Sequence, residues 1–358
     1  MMTSQAVWAA ASAPVRLPFP GAIITLPEPP SLYAATDFTF RPGGPPLLFS
    51  DQPEYVEGEG ILSKARFAGD WRLFLYHVNK EPSGGKYFPA VIRNLSADKP
   101  VTVSVRRAGW RGPSQNYTWV GQEALRDFFQ DRPVRQLTVP AGGFVLLDPL
   151  MVSRGAYSQQ LVEGLYEGTT DGPIEIFVLA TDDPERFDPT LFEPITVPAG
   201  ENMRGTFLNA DRTLDLTSDG TETVWLLAGN QWYDPYLEGS DELDGNQRVN
   251  YGNYGVVYHV NVHLKSDVAR TARIVFGAGS ASFAGVIKVT AGPNAGQVVR
   301  IPETPRRVFT SYGSEVSFLA QYDLKPGEEV IYSFDFMPPG ASNLPALLAV
   351  EPLETGEQ

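Results

Sequence analysis

The chain of 358 residues contains no cysteine, and this absence excludes disulfide bonds, thiolate catalysis and cysteine metal ligands together. Histidine is almost as scarce, with three residues in the whole chain. No apolar run reaches the roughly 18 residues that a membrane-spanning helix needs, so the sequence predicts no membrane span. No motif with the spacing of a known catalytic site is present, and we therefore predict no catalytic residues and expect a protein that is not an enzyme.

Positive charge is also in short supply. The 28 Lys and Arg residues face 42 Asp and Glu residues, which gives a net charge of −14. Nucleic-acid binding needs a basic face for phosphate contacts, and the small cluster of Arg106, Arg107 and Arg111 does not supply one. The composition therefore excludes nucleic acid as an expected partner.

Glycine and proline are abundant, with 34 and 31 residues scattered between short apolar runs. Turn-forming residues at this density are typical of all-β proteins. We predict two tandem antiparallel β-sandwich modules, residues 48–195 and 196–358, preceded by an extended Pro-rich N-terminal arm, residues 1–47. One short helix is predicted at Gln122–Gln130, because Leu125, Phe128 and Phe129 follow helical spacing.

The N-terminal region carries two further expectations. Residues 1–13 end in small residues like a signal-peptide cleavage region but lack a basic start, so a signal remnant and a plain linker both stay open. Ile23, Ile24 and Leu26 form an apolar stretch within the proline-rich arm. We predict that these three residues pair with a sheet edge of another copy and support assembly, with an arm lying on its own chain as the alternative.

The tetrapeptide Tyr-His-Val-Asn occurs at Tyr76–Asn79 and again at Tyr258–Asn261, which suggests two similar β-modules. The strand predicted at Gly255–Lys265 alternates, with Tyr258 on one face and the histidines on the other. His259 and His263 would lie about 13 Å apart on a regular strand, too far for one metal ion. We therefore predict no metal site and expect solvated histidines on polar strand faces.

Carboxylates offer two other kinds of site. Calcium is an alternative at two acidic loops, although neither has the spacing of an EF-hand loop and we predict no cofactor. The loop residues are Asp182, Asp183, Glu185 and Asp188 in the first, and Asp241, Glu242 and Asp244 in the second. A glycoside hydrolase would need two facing carboxylates, which Glu54, Glu57, Glu59 or these loops could supply.

Aromatic side chains form the most distinctive candidate surface. Exposed aromatic rings on a β-sandwich can stack on sugar rings or anchor a protein partner, and buried ones would pack the core instead. The predicted ligand-binding residues are Trp232, Tyr233, Tyr236, Tyr251 and Tyr254.

Five phrases of the sequence carry a resemblance. They are Leu48–Leu62, Arg72–Asn79, Met203–Phe207 with Asp211–Leu214, Asn250–Gly255 and Phe336–Pro345. On these phrases the chain resembles uncharacterised secreted proteins of Gram-positive (Bacillota-type) bacteria, often described through an attached copper-amine-oxidase N-terminal-like domain. The resemblance implies export to the cell surface or cell wall and implies no activity. The oxidase-like domain itself is not recognisable in this sequence, so the resemblance does not imply copper.

Together these observations predict a non-enzymatic extracellular protein of the cell envelope with a structural, assembly or adhesive role. The expected partners are a cell-wall polymer or further copies of the chain. A pair of carbohydrate-binding modules acting on cell-wall or environmental glycans is the first alternative, and a surface glycan hydrolase is the second.

Overall fold

The computed structural model describes residues 17–197, 203–229 and 233–353. Half of it is strand and 7% is helical, so the all-β prediction is confirmed. The first twelve strands are β1 (Ile23–Thr25), β2 (Phe40–Gly43), β3 (Leu47–Ser50), β4 (Tyr55–Val56), β5 (Gly60–Phe67), β6 (Asp70–Asn79), β7 (Ala90–Asn94), β8 (Val101–Ser114), β9 (Arg135–Val139), β10 (Phe144–Leu146), β11 (Leu161–Thr170) and β12 (Ile174–Ala180). The other twelve are β13 (Arg204–Phe207), β14 (Asp211–Ser218), β15 (Thr223–Leu227), β16 (Leu237–Ser240), β17 (Gln247–Asn250), β18 (Val257–Lys265), β19 (Arg270–Ala278), β20 (Gly285–Ala291), β21 (Val298–Ile301), β22 (Glu315–Leu324), β23 (Glu329–Phe336) and β24 (Ala346–Leu353).

The strands form four sheets. One has nine strands in the order β17-β16-β13-β3-β6-β11-β8-β9, with β4 also on β6, and a four-stranded sheet has the order β10-β7-β12-β5. A six-stranded sheet has the order β2-β14-β18-β23-β20-β21, and a five-stranded sheet has the order β1-β22-β19-β24-β15. Pairing is antiparallel except between β3 and β6, β4 and β6, and β14 and β18.

Two of the hydrophobic cores each draw on two sheets. The first combines side chains of the nine-stranded and four-stranded sheets, including Trp71 and Ile176, which are completely buried. The second combines the six-stranded and five-stranded sheets, including Tyr258 and Phe276. Each pair of sheets therefore encloses its own core, as strands with one inward face require.

A third cluster joins these two halves. It combines Phe74 and Leu165 from the outer face of the nine-stranded sheet with Val257 and Val286 from the six-stranded sheet. The helix α1 (Tyr117–Phe129) lies within this cluster and buries Val120, Ala124, Leu125, Phe128 and Phe129 there. The predicted helix is therefore present, one and a half turns longer at its N-terminal end.

Close packing and polar contacts fix α1 between the halves. A side chain at Gly109 of β8 would overlap the carbonyl oxygen of Ala124, so glycine allows the helix to lie directly on the sheet. On the opposite side, Gln122 Nε2 donates to the carbonyl of Gly285 at 3.1 Å, and Arg300 Nε donates to Glu123 at 2.6 Å. The two halves therefore share a packed and hydrogen-bonded interface.

The described part of the N-terminal arm pairs with its own chain. Ile23 and Ile24 lie opposite Ser317 and Val316 of β22, and Leu26 is 2% exposed. The arm's second strand, β2, pairs with β14. The role of Ile23, Ile24 and Leu26 in assembly stays a prediction, and residues 1–13 lie outside the described part.

Strands that follow the predicted module boundary at residue 196 also join a sheet built by the residues before it. The hairpin of β16 and β17, with β13, extends the nine-stranded sheet although all three follow residue 196. Each half of the structure therefore contains strands from both sides of residue 196. This interleaving brings the turn after β17 against β3 and β6.

Candidate functional site

A cavity of about 410 Å³, called here the tyrosine cleft, opens between the two halves. Its lining residues are Phe49, Asp51, Glu54, Phe74, Tyr76, Met203, Tyr251, Tyr254, Gly340, Ala341, Ser342 and Asn343. They come from β3 and the loop after it, from β6, from the residue before β13, from the turn after β17 and from the loop between β23 and β24. The volume is within the range of about 300–1,000 Å³ that is usual for ligand pockets.

The turn Asn250–Gly255 presents two of the tyrosines. Gly252 and Gly255 have φ values of 95° and 78°, which explains the glycines in this phrase. The Asn250 side chain clamps the turn, since its Oδ1 accepts from the Tyr254 amide at 3.0 Å and its Nδ2 donates to the Tyr254 carbonyl at 2.8 Å. The backbone that carries Tyr251 and Tyr254 is therefore held in place before any ligand arrives.

The aromatic rings form a graded surface from buried to exposed. The Tyr254 ring is nearly parallel to Phe49, with 6.5 Å between ring centroids, and its hydroxyl donates to the Ser342 carbonyl at 2.8 Å. Tyr251 is 46% exposed and meets Tyr236 edge to face at 5.4 Å. Tyr254 thus forms part of the wall, and Tyr251 offers an accessible ring face at the mouth.

The predicted ligand-binding residues separate into three groups. Tyr236, Tyr251 and Tyr254 lie together, although Tyr236 supports Tyr251 and does not line the cleft. Tyr233 lies elsewhere, 6.1 Å from Phe38 between ring centroids. Trp232 lies outside the described residues.

The charged side chains that line the tyrosine cleft within the described part are all negative. Asp51 and Glu54 line it, and no described lining residue is Lys, Arg or His. Burial raises the pKa of Tyr254 above its usual range, and the charge of Asp51 raises it further. The negative field therefore reaches the aromatic wall.

Glu163 of β11 adds a third carboxyl group beneath the cleft. It lies directly opposite Tyr76 of β6 and is completely buried. Neither carboxylate oxygen has a hydrogen bond of ordinary geometry within the described residues, and Oε2 lies so close to Gly340 that a side chain there would overlap it. Burial raises the pKa of Glu163 to about 8, although the Gly340 amide opposes the shift. Glu163 is therefore an enclosed carboxyl group that holds its proton at neutral pH.

A second cavity, called here the charged cleft, has a volume of about 620 Å³ and lies on the same sheet face. Its lining residues are Gly44, Pro45, Asp70, Arg72, Arg106, Arg107, Phe129, Gln130, Asp131, Arg132, Glu167, Asp211 and His259. At its base, the Arg72 Nη2 is 2.5 Å from Glu167 Oε2 and 2.8 Å from Asp211 Oδ1. The buried charges there neutralise one another, so a ligand would have to displace existing ion pairs.

His259 completes this network. Its Nδ1 is 2.7 Å from Asp335, and its Nε2 is 3.5 Å from Asp211. Hydrogen bonding to Asp211 and Asp335 raises the pKa of His259 to about 9. The residue is therefore a cation at neutral pH, and its partners are carboxylates of its own chain.

His77 corrects the expectation of solvated histidines. It is completely buried, with its Nε2 2.8 Å from Ser50 Oγ and its Nδ1 3.0 Å from the carbonyl of Pro53. Burial lowers the pKa of His77 to about 4, so the ring is neutral. The pair has the contacts of a hydroxyl with a general base, but Ser50 is also completely buried and lines neither cleft.

The two acidic loops are engaged with basic side chains. Asp182 lies 2.6 Å from Lys86 Nζ, and Asp241 lies 2.5 Å from Arg204 Nη2. Within the described ranges, no group of three or more His, Asp or Glu residues is arranged to hold a metal ion. None of the described helices is long and apolar enough to cross a membrane.

Sequence reasoning missed most of the cleft wall. Phe49, Phe74 and Tyr76 belong to strands that are buried on both faces, so their apolar runs show no alternation. Asp51 and Glu163 carry no motif signal. Glu54 was named only as one of several carboxylates.

The chain was also compared with known proteins. No protein-family model matches it, and no curated protein matches it significantly. The resemblance to secreted proteins of Gram-positive bacteria therefore stays a prediction.

Proposed function

We propose that the protein binds carbohydrate in the tyrosine cleft and acts through this binding, as an adhesive component of a bacterial cell envelope. The observation that carries the proposal is the combination of an accessible ring at Tyr251 with the carboxylates Asp51 and Glu54 in one cavity. Aromatic faces pack against the apolar face of a sugar ring, and carboxylate oxygens accept hydrogen bonds from its hydroxyl groups.

Preorganisation supports the same proposal. The clamped turn Asn250–Gly255 and the hydrogen bond from Tyr254 to Ser342 fix the aromatic wall. A wall that is already ordered loses little entropy when a ligand binds, which favours recognition of a weakly interacting polar ligand. The charged cleft offers no comparable apolar face, since Phe129 is the only Phe, Tyr or Trp among its lining residues within the described part.

Replacing Tyr251 by alanine tests the proposal. We expect wild-type protein to bind a cell-wall polysaccharide preparation or an oligosaccharide panel, and Tyr251→Ala to lose at least tenfold in affinity by isothermal titration calorimetry. The control is Tyr33→Ala, because Tyr33 is fully exposed and is not among the residues that line the cleft. Binding that is equally strong in Tyr251→Ala, or no binding to any saccharide, would contradict the proposal.

A further inference from the structure

A third cavity of about 450 Å³, called here the tryptophan cleft, shares no lining residue with the other two clefts within the described part of the chain. Its lining residues are Trp110, Arg111, Gly112, Pro113, Trp119, Glu123, Leu150, Ser153 and Arg154. They come from β8, from the first two turns of α1 and from the turn 149–154 after β10. We infer that this cleft is a second binding site of the protein, and that its ligand is an acidic saccharide, a sugar chain that carries carboxylate groups.

Two tryptophan side chains supply the aromatic surface of the cleft. Trp119 is half-buried and lies one turn before Glu123 on the same side of α1. Trp110 is 9% exposed and packs into the core of the first half. Trp119 therefore offers the more accessible ring, and Trp110 lies deeper in the wall. The large face of a tryptophan ring packs well against the apolar face of a sugar ring.

The charged residues of the lining indicate the sign of the ligand. Glu123 is paired with Arg300, whose Nε lies 2.6 Å from its carboxylate, and Arg111 is paired with Asp127 at 2.6 Å. Arg154 is exposed and forms no ion pair within the described residues. The charge that the cleft leaves for a ligand is therefore positive, although the chain as a whole has a net charge of −14. A guanidinium group binds a carboxylate through two parallel hydrogen bonds.

A bulge in β8 shapes one wall of the cleft. Between Arg111 and Ser114, β8 has one residue more than the facing part of β11. Gly112 in this bulge has a φ value of 97°, and a side chain there would overlap the carbonyl oxygen of Leu161. Bulges bend a strand and redirect its side chains, and they are frequent beside functional sites. The local shape of β8 is therefore a second observation that favours a site here.

The turn that carries Arg154 is held by its own hydrogen bonds. Asp148 Oδ1 accepts from the Leu150 amide at 3.0 Å, and Ser153 Oγ donates to the Leu150 carbonyl at 2.8 Å. The other carboxylate oxygen of Asp148 accepts from the Tyr166 hydroxyl at 3.0 Å, which ties the turn to β11. The backbone beside Arg154 is therefore ordered before a ligand binds, and this lowers the entropy cost of binding.

The test compares a galacturonic acid tetramer with its fully methyl-esterified counterpart, which has the same backbone without the charges. Both are titrated by calorimetry at pH 6.0 in about 0.15 M salt, which screens the overall negative charge of the chain. All titrations use full-length Tyr251→Ala protein, so that the tyrosine cleft does not contribute. We expect the acidic tetramer to bind about fivefold more tightly than the ester. Adding Arg154→Gln should remove this preference.

Two matched controls accompany these variants. Arg306→Gln removes another exposed arginine that does not line the cleft, and it should keep the preference. Trp119→Ala should weaken binding of both tetramers at least tenfold, because the ring that packs on the sugar is lost. Tyr33→Ala removes a fully exposed ring outside the lining and should not change the affinity. Circular dichroism checks the fold of Trp119→Ala, and Arg154→Gln tests the inference at an exposed position where packing is not disturbed.

Several results would overturn the inference. They are equal affinity for the two tetramers, no binding of the acidic tetramer, a preference that Arg154→Gln keeps, and full affinity in Trp119→Ala. A preference that Arg306→Gln also loses would mean attraction to net charge and would overturn it as well. Each of these results leaves the tyrosine cleft to its own test with neutral saccharides, because the titrations contain Tyr251→Ala throughout.

Discussion

The two clefts lie on one face of the nine-stranded sheet, and each is built on a glutamate of β11. Glu167 lies opposite Arg72 of β6, and Glu163, four residues earlier on the same face, lies opposite Tyr76. Glu167 therefore has a cation 2.5 Å away, while Glu163 is enclosed with a phenol and the backbone of Gly340. One cross-strand neighbour decides whether a buried carboxyl group is neutralised within the protein or remains without a cation.

The comparison extends to β8, the strand on the other side of β11. Arg111 of β8 also lies opposite Glu163, but its Nη2 is 2.6 Å from Asp127 of α1. The helix thereby removes the one basic residue that the sheet places beside Glu163. We conclude that the ion pairs of the charged cleft link the two halves, whereas Glu163 beneath the tyrosine cleft has no cation within hydrogen-bond distance among the described residues.

Removing Arg72 should have the largest effect. Arg72→Ala leaves Glu167 and Asp211 buried without their cation, and we expect the free energy of unfolding to fall by about 3–5 kcal/mol in denaturant titrations. The control Arg307→Ala breaks an exposed pair with Glu315 outside the lining of the charged cleft and should cost about 1 kcal/mol or less. Equal losses in the two variants would contradict the structural role of the charged cleft.

Glu163→Gln should have an intermediate effect with a characteristic pH dependence. The folded protein holds the proton of Glu163 up to pH about 8, whereas the unfolded chain releases it near 4.5, the ordinary pKa of a glutamate side chain. Wild-type stability therefore falls as pH rises from 4.5 to 8, and the glutamine variant escapes this loss. We expect the variant to be the more stable protein above pH 8, and the gap between the two stability curves to widen from pH 4.5 to pH 8. Parallel stability curves would rule out an enclosed, protonated Glu163.

Replacing His259 should have the smallest of the three effects, because its side chain is 37% exposed. The pKa of His259 is raised, so its contribution to stability is complete below about pH 6.5 and is lost as pH rises through about 9. His259→Gln should therefore be less stable than wild type at pH 6 and should approach it at pH 10. Thermal unfolding across this range checks the result, and a difference that grows with pH would contradict the ion pairs with Asp211 and Asp335.

The sequence predicted local structure well wherever one face of an element is polar. The alternation of β18 was assigned correctly, since Tyr258 is buried in a core and His259 lies on the other face. The apolar spacing of α1 predicted its buried side. Both patterns depend on residues close together in the chain.

The two copies of Tyr-His-Val-Asn show where such reasoning ends. Tyr76 faces the other half of the protein and His77 is buried behind the sheet, whereas Tyr258 is buried in a core and His259 faces a cleft. The tetrapeptide is the same, but the tyrosine faces the core of its own half in one copy and faces away from it in the other. Strand β6 is covered on both faces, so its sequence has no alternation of polar and apolar residues that would show which side chains face which layer.

The tyrosine cleft was unpredictable for a related reason. Its residues come from five parts of the chain, and they meet because β13, β16 and β17 join a sheet built by the first half. Tyr251 and Tyr254 could be named from their clustering, but Glu163 could not. Its surroundings are set by the strand register and by α1, neither of which short-range patterns contain.

A crystal structure of the full chain with a bound oligosaccharide tests the central claim most directly. We predict a sugar ring packed on Tyr251 and a sugar hydroxyl oxygen about 2.8 Å from a carboxylate oxygen of Asp51 or Glu54. A saccharide bound in the charged cleft, or a tyrosine cleft that stays empty at saturating ligand, would contradict the account.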